Sequence, residues 1–358
     1  MDTDKKIQPK WKVLEYSKSH VKTAGKRIRQ EDLSDADKQQ AIAVIDNWRA
    51  AHGYPLHVIY MNLRRMAENK PEIIVAERLK RLNSIIGKLT REPSMSLTKM
   101  QDLGGCRFIV NSIDDVYHYS KLLENSRIRH VLKSEFDYIQ NPKPSGYRSL
   151  HKVYEFRSDK KEEYNNGMLI EIQYRTHLQH VWATAVETMG LFTQQALKSG
   201  QGDDDIKRFF ALASSLIAKI EHQQTVPGTS DDERKIIDEI RFLNNKHDYL
   251  KILNGMSIIM HLEGTAEYRA KHPMYYLLIF DYTQHGPELF IKGYKASEFE
   301  KANQDYSRLE NQKSAINRDL VLVRANSFST MRSAYPNYFS DIAEFSSIIN
   351  DHLQSLIK

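Results

Sequence analysis

The sequence predicts an α+β protein, a mixed β-sheet flanked by helices and followed by a smaller α+β unit. Three observations carry this expectation. After residue 71, short apolar runs of strand length alternate with stretches of helical periodicity. The stretch Gln223–Asp231 (QQTVPGTSD) holds Pro-Gly and small polar residues without apolar period, and so reads as a linker. Beyond it strand-like runs and a hairpin turn resume. At 358 residues the chain is long enough for two cores, placed at 1–230 and 231–358.

Each element follows from its own residues. Ser34 can cap a helix in which Ile42, Ile45 and Trp48 recur at helical spacing. His52-Gly53-Tyr54-Pro55 should break it, before a second amphipathic stretch through Leu56, Ile59, Tyr60, Leu63 and Met66. Strands are expected at Ile73–Leu79, Leu103–Val110, Arg129–Lys133, Ser149–Phe156 and Met168–Tyr174. Helices are expected at Leu82–Leu89, Ile113–Glu124, from Thr176 through Trp182, and at Asp203–His222. In the second unit a long polar helix (Asp232–Leu250) should precede strands at Ser257–Leu262, Tyr275–Tyr282 and Glu288–Lys292, with Gln284–Pro287 as the hairpin turn. A helix at Ser297–Ser314, a strand at Leu320–Arg324 and a last helix at Ser340–Ile357 complete the pattern.

Composition narrows the function. Apolar content of 41% with 27% charge is that of a folded globular chain. The single cysteine, Cys106, excludes an internal disulfide and a cysteine zinc knuckle. The polar start MDTDKKIQPK and the absence of a long apolar run point to a cytoplasmic protein with no membrane partner. Net charge is +6, and residues 1–30 carry nine Lys or Arg against three acids, so the remainder is neutral. That arm, with Lys5, Lys6, Lys10, Lys12, Trp11 and Tyr16, suits an RNA backbone; a solvated helix face would read the same way.

Three clusters between Arg78 and Glu171 carry chemistry. In Arg78-x-Lys80-x-x-x-Ser84-x-x-x-Lys88, Ser84 and Lys88 share one helix face and can hold a polyphosphate. A salt-bridged face would have the same spacing. Asp102-Leu-Gly-Gly-Cys-Arg107 sets a carboxylate before a buried strand and suits Mg²⁺ bound through one or two carboxylates plus phosphates; an N-capping turn is the other reading. The third cluster is split. Gly146-Tyr147-Arg148-Ser149-Leu150-His151 presents an aromatic ring and cations, and Glu171-x-Gln173-x-Arg175 alternates a carboxylate, an amide and a guanidinium onto one side of a strand. A solvated strand face is the alternative.

Arg-x-Lys-x-x-x-Ser-x-x-x-Lys, Asp-Leu-Gly-Gly-x-Arg, Gly-Tyr-Arg-Ser-Leu-His and Glu-Ile-Gln-x-Arg-Thr, with His180-x-Trp182-Ala183 behind, resemble the RelA/SpoT synthetase domain in order and spacing over about residues 70–190. The resemblance implies a RelA/SpoT synthetase-like nucleotidyltransferase fold and a Mg²⁺-dependent pyrophosphokinase. It implies that Arg78 and Arg107 sandwich the adenine of ATP and that Lys80, Ser84 and Lys88 hold its phosphates. Asp102 and Glu171 would bind the metal, with Glu171 also the general base. Tyr147 would stack on the acceptor base, and His151, Gln173 and Arg175 would help place the acceptor. Cys106 would be a small buried residue.

No His/Asp hydrolase half precedes these motifs, so the chain resembles a small alarmone synthetase. Ser333-Ala-Tyr335-Pro-Asn-Tyr338-Phe339, in a C-terminal module that has pseudo-zinc-finger character without the cysteines, resembles the CapRel type of fused toxin–antitoxin synthetase. That resemblance implies transfer of diphosphate to the 3′-CCA end of tRNA and arrest of translation. It implies that the C-terminal half blocks the ATP site until a phage structural protein binds it; the further expectation is that Tyr335 or Tyr338 covers that site and that the partner competes for apolar surface around Phe328, Met331 and Phe339. Transfer to GDP or GTP, as in a (p)ppGpp synthetase, explains the synthetase motifs equally well. Tyr335 and Tyr338 as core anchors of their own domain remain the alternative reading of that pair.

Overall fold

The computed structural model describes residues 11–193, 203–255, 259–262, 273–283, 286–310, 318–325, 327–335 and 342–355. Ser17 and Ser34 lie in extended backbone, and each hydroxyl accepts an amide three residues on, which starts α1 (Lys18–Arg27) and α2 (Asp35–Ala51). The break expected at 52–55 is only a joint at His52. The chain re-enters a helix at once as α3 (Gly53–Met66), because Pro55 falls in its first turn, where no amide is needed. Then follow β1 (Ile74–Leu79), α4 (Leu82–Arg91), β2 (Gly104–Val110), α5 (Ile113–Glu124), β3 (Val131–Asp137), β4 (Leu150–Glu155), β5 (Leu169–Thr176), α6 (His177–Thr193) and α7 (Asp204–Ile220).

The long polar helix expected at 232–250 is two helices, α8 (Glu233–His247) and α9 (Tyr249–Gly255). Asp248 between them adopts a left-handed backbone with φ 54°, which ends a helix. The chain continues through β6 (Ile259–Leu262), β7 (Tyr275–Thr283), β8 (Gly286–Tyr294), α10 (Phe299–Glu310), β9 (Arg318–Arg324), α11 (Phe328–Ala334) and α12 (Ala343–Ser355). The short α11 has too few residues to show a period. Ser327 caps it by accepting the Thr330 amide.

The predicted mixed sheet flanked by helices is what the chain forms, with a further α+β region after it. The strands run in the order β3-β4-β5-β2-β1-β9-β7-β8-β6, with β2/β5 and β6/β8 parallel and the other pairs antiparallel. The sheet is therefore continuous from the early strands into the late ones. The join is short: Glu77 pairs with Arg324 and Arg78 with Val323.

Register decides which side chains share a face. Arg78, Arg107, Glu171, Gln173 and His151 fall on one face; Glu77, Cys106 and Ile172 fall on the other. On the first face α11 packs through Met331, Ala334 and Tyr335 onto Ala76, Val321 and Val323. On the second, α3 covers β1 and β2, while α10 buries Phe299 and Tyr306 against Tyr275 and Leu322. Helices α6 to α9 and α12 form a separate core through Phe209, Phe210, Ile240 and Phe345. Among the described residues no helix is long and apolar enough to cross a membrane.

Candidate functional site

Antiparallel β1/β2 pairing sets Arg78 opposite Gly105, and parallel β2/β5 pairing sets Gly105 opposite Glu171. The adjacent row runs Arg107, Gln173, His151. Gly105 leaves the middle of the first row without a side chain. A small cleft opens there, lined by Arg78, Lys80, Asp102, Gly105, Cys106, Arg107, Glu171 and Gln173. Cys106 itself is buried, and burial raises its thiol well above the ordinary range, so it contributes packing rather than a thiolate.

The cleft is strongly polarised. Lys80 Nζ lies 2.6 Å from Asp102 Oδ2, and Lys88 Nζ lies 3.3 Å from Oδ1. Burial alone would raise the Asp102 carboxyl, but the two lysines override it and hold it below its ordinary value. Burial lowers Lys80 against the pull of Asp102. Ser84 stands one turn before Lys88 on α4.

Glu171 closes a ring of five side chains. Its Oε1 meets His151 Nδ1 at 2.8 Å, and His151 Nε2 meets the Tyr147 hydroxyl at 2.7 Å. Arg175 Nη2 donates to that hydroxyl at 2.6 Å and to Gln173 Oε1 at 2.9 Å, and Gln173 Nε2 donates to Glu171 Oε2 at 2.7 Å. Burial opposes the charge on Glu171, yet His151, Gln173 and Lys80 together hold its pKa at about 2. A carboxylate held there is a good cation ligand and a weak proton acceptor, so a base role requires the His151 contact to be exchanged.

Tyr147 does not present the open ring expected of a base platform. It is 5% exposed, its hydroxyl is committed to the ring of five, and Arg175 lies 5.1 Å from its centroid. Gly146, at φ 90°, fixes this: a Cβ there would come within 2.8 Å of Ser214 and 2.9 Å of Trp182, so the loop wedges against α6 and α7. The accessible aromatics beside it were not legible as a motif. Tyr138 is half-buried and packs edge-on to Tyr147 and His151; Phe136 lies nearly parallel to Tyr138, and Lys143 Nζ sits 4.3 Å over the Tyr138 ring. Burial, and then the Glu171 charge, raise the Tyr138 hydroxyl.

Arg107 is covered. Its Nη1 donates to the Ala334 carbonyl at 2.7 Å, Glu187 lies 3.6 Å from Nη2, and its Cζ is 4.8 Å from the centroid of Tyr335, which is fully buried. His180 Nε2–H donates to the Ser333 carbonyl at 3.0 Å. Burial, with Arg107 adding to it, holds that imidazole neutral. The end of α11 therefore lies on the guanidinium expected to flank an adenine. Tyr338 and Phe339 lie outside the described residues. Met331, expected to offer apolar surface to a partner, is instead in the core beneath α11, and Phe328 is half-buried.

Of the basic arm, Lys5, Lys6 and Lys10 lie outside the described residues, and Lys12 sits 3.8 Å from Glu15. Trp11 is no RNA platform in this arrangement. It packs on Phe299 and His57, with centroids 4.5 Å and 5.0 Å away, and so anchors the arm to α10 and α3. Glu310, also without a sequence signal, accepts the Leu82 and Asn83 amides at the start of α4.

Residues 77–194, which contain every cleft residue above, match the family model described as the region found in RelA / SpoT proteins. GTP pyrophosphokinase YwaC of Bacillus subtilis (strain 168) is 36% identical over 114 residues, 30% of this chain and 52% of that protein. GTP pyrophosphokinase YjbM of the same organism is 28% identical over 162 residues, 44% of this chain and 72% of that protein. The chain thus spans about half the length of the first of these relatives. The crystal structure of small alarmone synthetase 1 from Bacillus subtilis bound to its product pppGpp is similar at 26% identity, over 52% of this chain and 94% of that one, with a TM-score of 0.40.

Proposed function

We propose that this chain, with its RelA/SpoT region at residues 77–194, is an ATP-dependent pyrophosphokinase held in a covered state by its own C-terminal residues. The β,γ-diphosphate of ATP passes to a ribose hydroxyl, and AMP leaves. The observation that carries this reading is the two ionised carboxylates, Asp102 and Glu171, facing one cleft with Lys80, Lys88, Arg78 and Arg107. Arg78 and Arg107 would flank the adenine, and Lys80, Ser84 and Lys88 would hold the phosphates.

The donor set fits Mg²⁺. Among the described residues no group of three or more His, Cys, Asp or Glu could cage a metal, whereas two carboxylates beside a phosphate site match an ion that takes its other ligands from substrate and water. When bound, Mg²⁺ supplies charge neutralisation on the transferring diphosphate. The chain's own part is positioning and electrostatics: lysines on the phosphates, the five-residue ring on the acceptor side.

For the acceptor we favour the 3′-OH of the tRNA CCA end, with arrest of translation as the result. The basic segment at 1–30 supports a polynucleotide acceptor, and the covering of Arg107 by Ala334 and Tyr335 supports an activity dangerous enough to need restraint. On this reading residues 1–230 are the synthetase and 231–358 the restraint. Release comes from a foreign protein, a phage structural protein in the strongest version, that binds the chain better when α11 is displaced. GDP or GTP as acceptor is the second reading, favoured by relatives that are named GTP pyrophosphokinases. Incubation of the chain uncovered by Tyr335→Ala with ATP labelled in its β,γ-phosphates, offered deacylated tRNA or GTP, separates the two. Label on neither would refute both.

A further inference from the structure

The start of α4 is capped from the far end of the chain. The first amides of a helix have no partner within it, and a side-chain acceptor at the N-cap normally satisfies one of them. Here the N-cap is Arg81, whose guanidinium has no acceptor, and it makes no capping bond. Glu310 Oε1, from the last turn of α10, accepts the Leu82 amide at 2.6 Å and the Asn83 amide at 3.4 Å, 228 and 227 residues away in sequence. Glu310 is 6% exposed. Neighbouring contacts fix α10 in place: Ser307 Oγ donates to Asp46 Oδ2 at 2.9 Å, and Tyr306 lies under Arg49, 4.3 Å from Cζ to centroid.

Ser84 stands in the first turn of α4, and Lys88, one turn on, reaches Asp102 at 3.3 Å. A ten-residue helix is marginal alone, so its end-capping contacts decide whether the first turn stays formed. A carboxylate at that end also matches the helix dipole. Helix α10 lies on the sheet face opposite α11, so the two attachments are separate: one covers Arg107, the other orders α4.

We infer that Glu310 is a positioning residue for nucleotide binding. It holds the first turn of α4 so that Ser84 and Lys88 meet the phosphates, and the uncovered enzyme therefore keeps α10 docked while α11 leaves. This rests on the reading of α4 as the phosphate-binding helix.

The test uses the full chain with Tyr335→Ala to uncover the cleft, and adds Glu310→Ala, Glu310→Gln, or Glu310→Ala with Arg81→Ser. Arg81→Ser puts a capping hydroxyl at the N-cap itself. Amide exchange at residues 82–85 and the affinity for a non-hydrolysable ATP analogue are read in each, with KM and kcat where transfer is measurable. Glu310→Ala should speed exchange at 82–85 and weaken the analogue, each about five- to thirtyfold, the worth of one cap. KM for ATP should rise more than kcat falls. Glu310→Gln keeps an acceptor and should stay near the parent, and Arg81→Ser should restore most of the loss. Unchanged exchange in Glu310→Ala overturns the inference, as does faster exchange with unchanged affinity. Should Glu310→Ala not fold alone, the double variant decides: folded, with weak analogue binding, it overturns the inference too. Exchange and binding do not depend on the acceptor, so a chain inactive with every acceptor would refute the pyrophosphokinase reading and leave this one standing.

Discussion

The Tyr335 ring lies against the Arg107 guanidinium, 4.8 Å from centroid to Cζ, and the residue before it takes the Nη1 hydrogen bond on its carbonyl. A stack of this kind contributes about 0.5–2 kcal/mol. Tyr335→Ala should therefore strengthen binding of an ATP analogue by about two- to thirtyfold. Tyr335→Phe is the control. Among the described residues the buried Tyr335 hydroxyl has no hydrogen-bond partner, so its removal should leave both the covered state and the melting temperature close to wild type. Calorimetric titration of the two variants decides. Equal affinity in Tyr335→Ala and wild type would mean that Tyr335 is an anchor of its own core and no cover.

Asp102→Asn and Glu171→Gln should each reduce transfer from ATP by at least about 10²–10⁴-fold, since each removes a charge from a cleft with two carboxylates. Release of AMP from labelled ATP, in the Tyr335→Ala background, measures it. A Glu171→Gln variant within tenfold of its parent would assign the proton to another group.

The join between β1 and β9 should be pH-sensitive. Burial raises the Glu77 carboxyl from its ordinary 4.5 to about 7, and Arg324, 3.7 Å away, only partly opposes this. A carboxyl raised in the folded state keeps its proton where the unfolded chain has lost it. Stability therefore falls as pH rises from about 4.5 to about 7. His57, beside Arg324, does not titrate in this window, because burial and then Arg324 hold it at about 3. Tyr60 and Tyr275, which also face Arg324, are raised by burial and stay neutral here. Glu77→Gln should flatten this part of a melting-temperature profile between pH 4 and 8. A profile unchanged by that substitution would place the titration elsewhere.

On the acceptor side the two tyrosines should separate. Tyr147→Phe breaks the five-residue ring and leaves Arg175 and His151 short of a partner, so it should lower stability by about 1–3 kcal/mol. Tyr138→Ala should leave stability nearly unchanged and raise the acceptor KM by about 5- to 150-fold, the range expected for losing one base stack. KM for ATP should stay constant. Should Tyr138→Ala leave the acceptor KM untouched, the loop must move to open Tyr147.

Much of this was legible in sequence because short-range rules wrote it. The alternation in Glu171-Ile172-Gln173 placed the carboxylate and the amide on one face. What was not legible lies between residues far apart. The pairing of Arg324 with Glu77 depends on the last strand adding to the first, and Tyr147 reads as exposed until α6 and α7 close behind it. Tyr138 carried no motif because its position follows from the turn just past β3, where its amide donates to the Ser149 carbonyl at 3.0 Å. Glu310 had no local signal at all, since an acid at a helix C-terminus reads as a solvated charge.

The span from Leu82 to Glu310 also sets a clock. During synthesis the strands of the cleft leave the ribosome first, and at about 5–20 residues per second the 228 residues to Glu310 take roughly 10–50 s. Throughout that interval α4 lacks its capping carboxylate, and the free edge of β1 waits for β9. The residue that caps α4 and those that cover Arg107 lie within 25 positions of each other, at 310 and 334–335, so they emerge almost together. On the proposed reading, a nascent chain would gain its competence and its restraint in the same few seconds, and translation would not have to run beside a finished but unguarded enzyme.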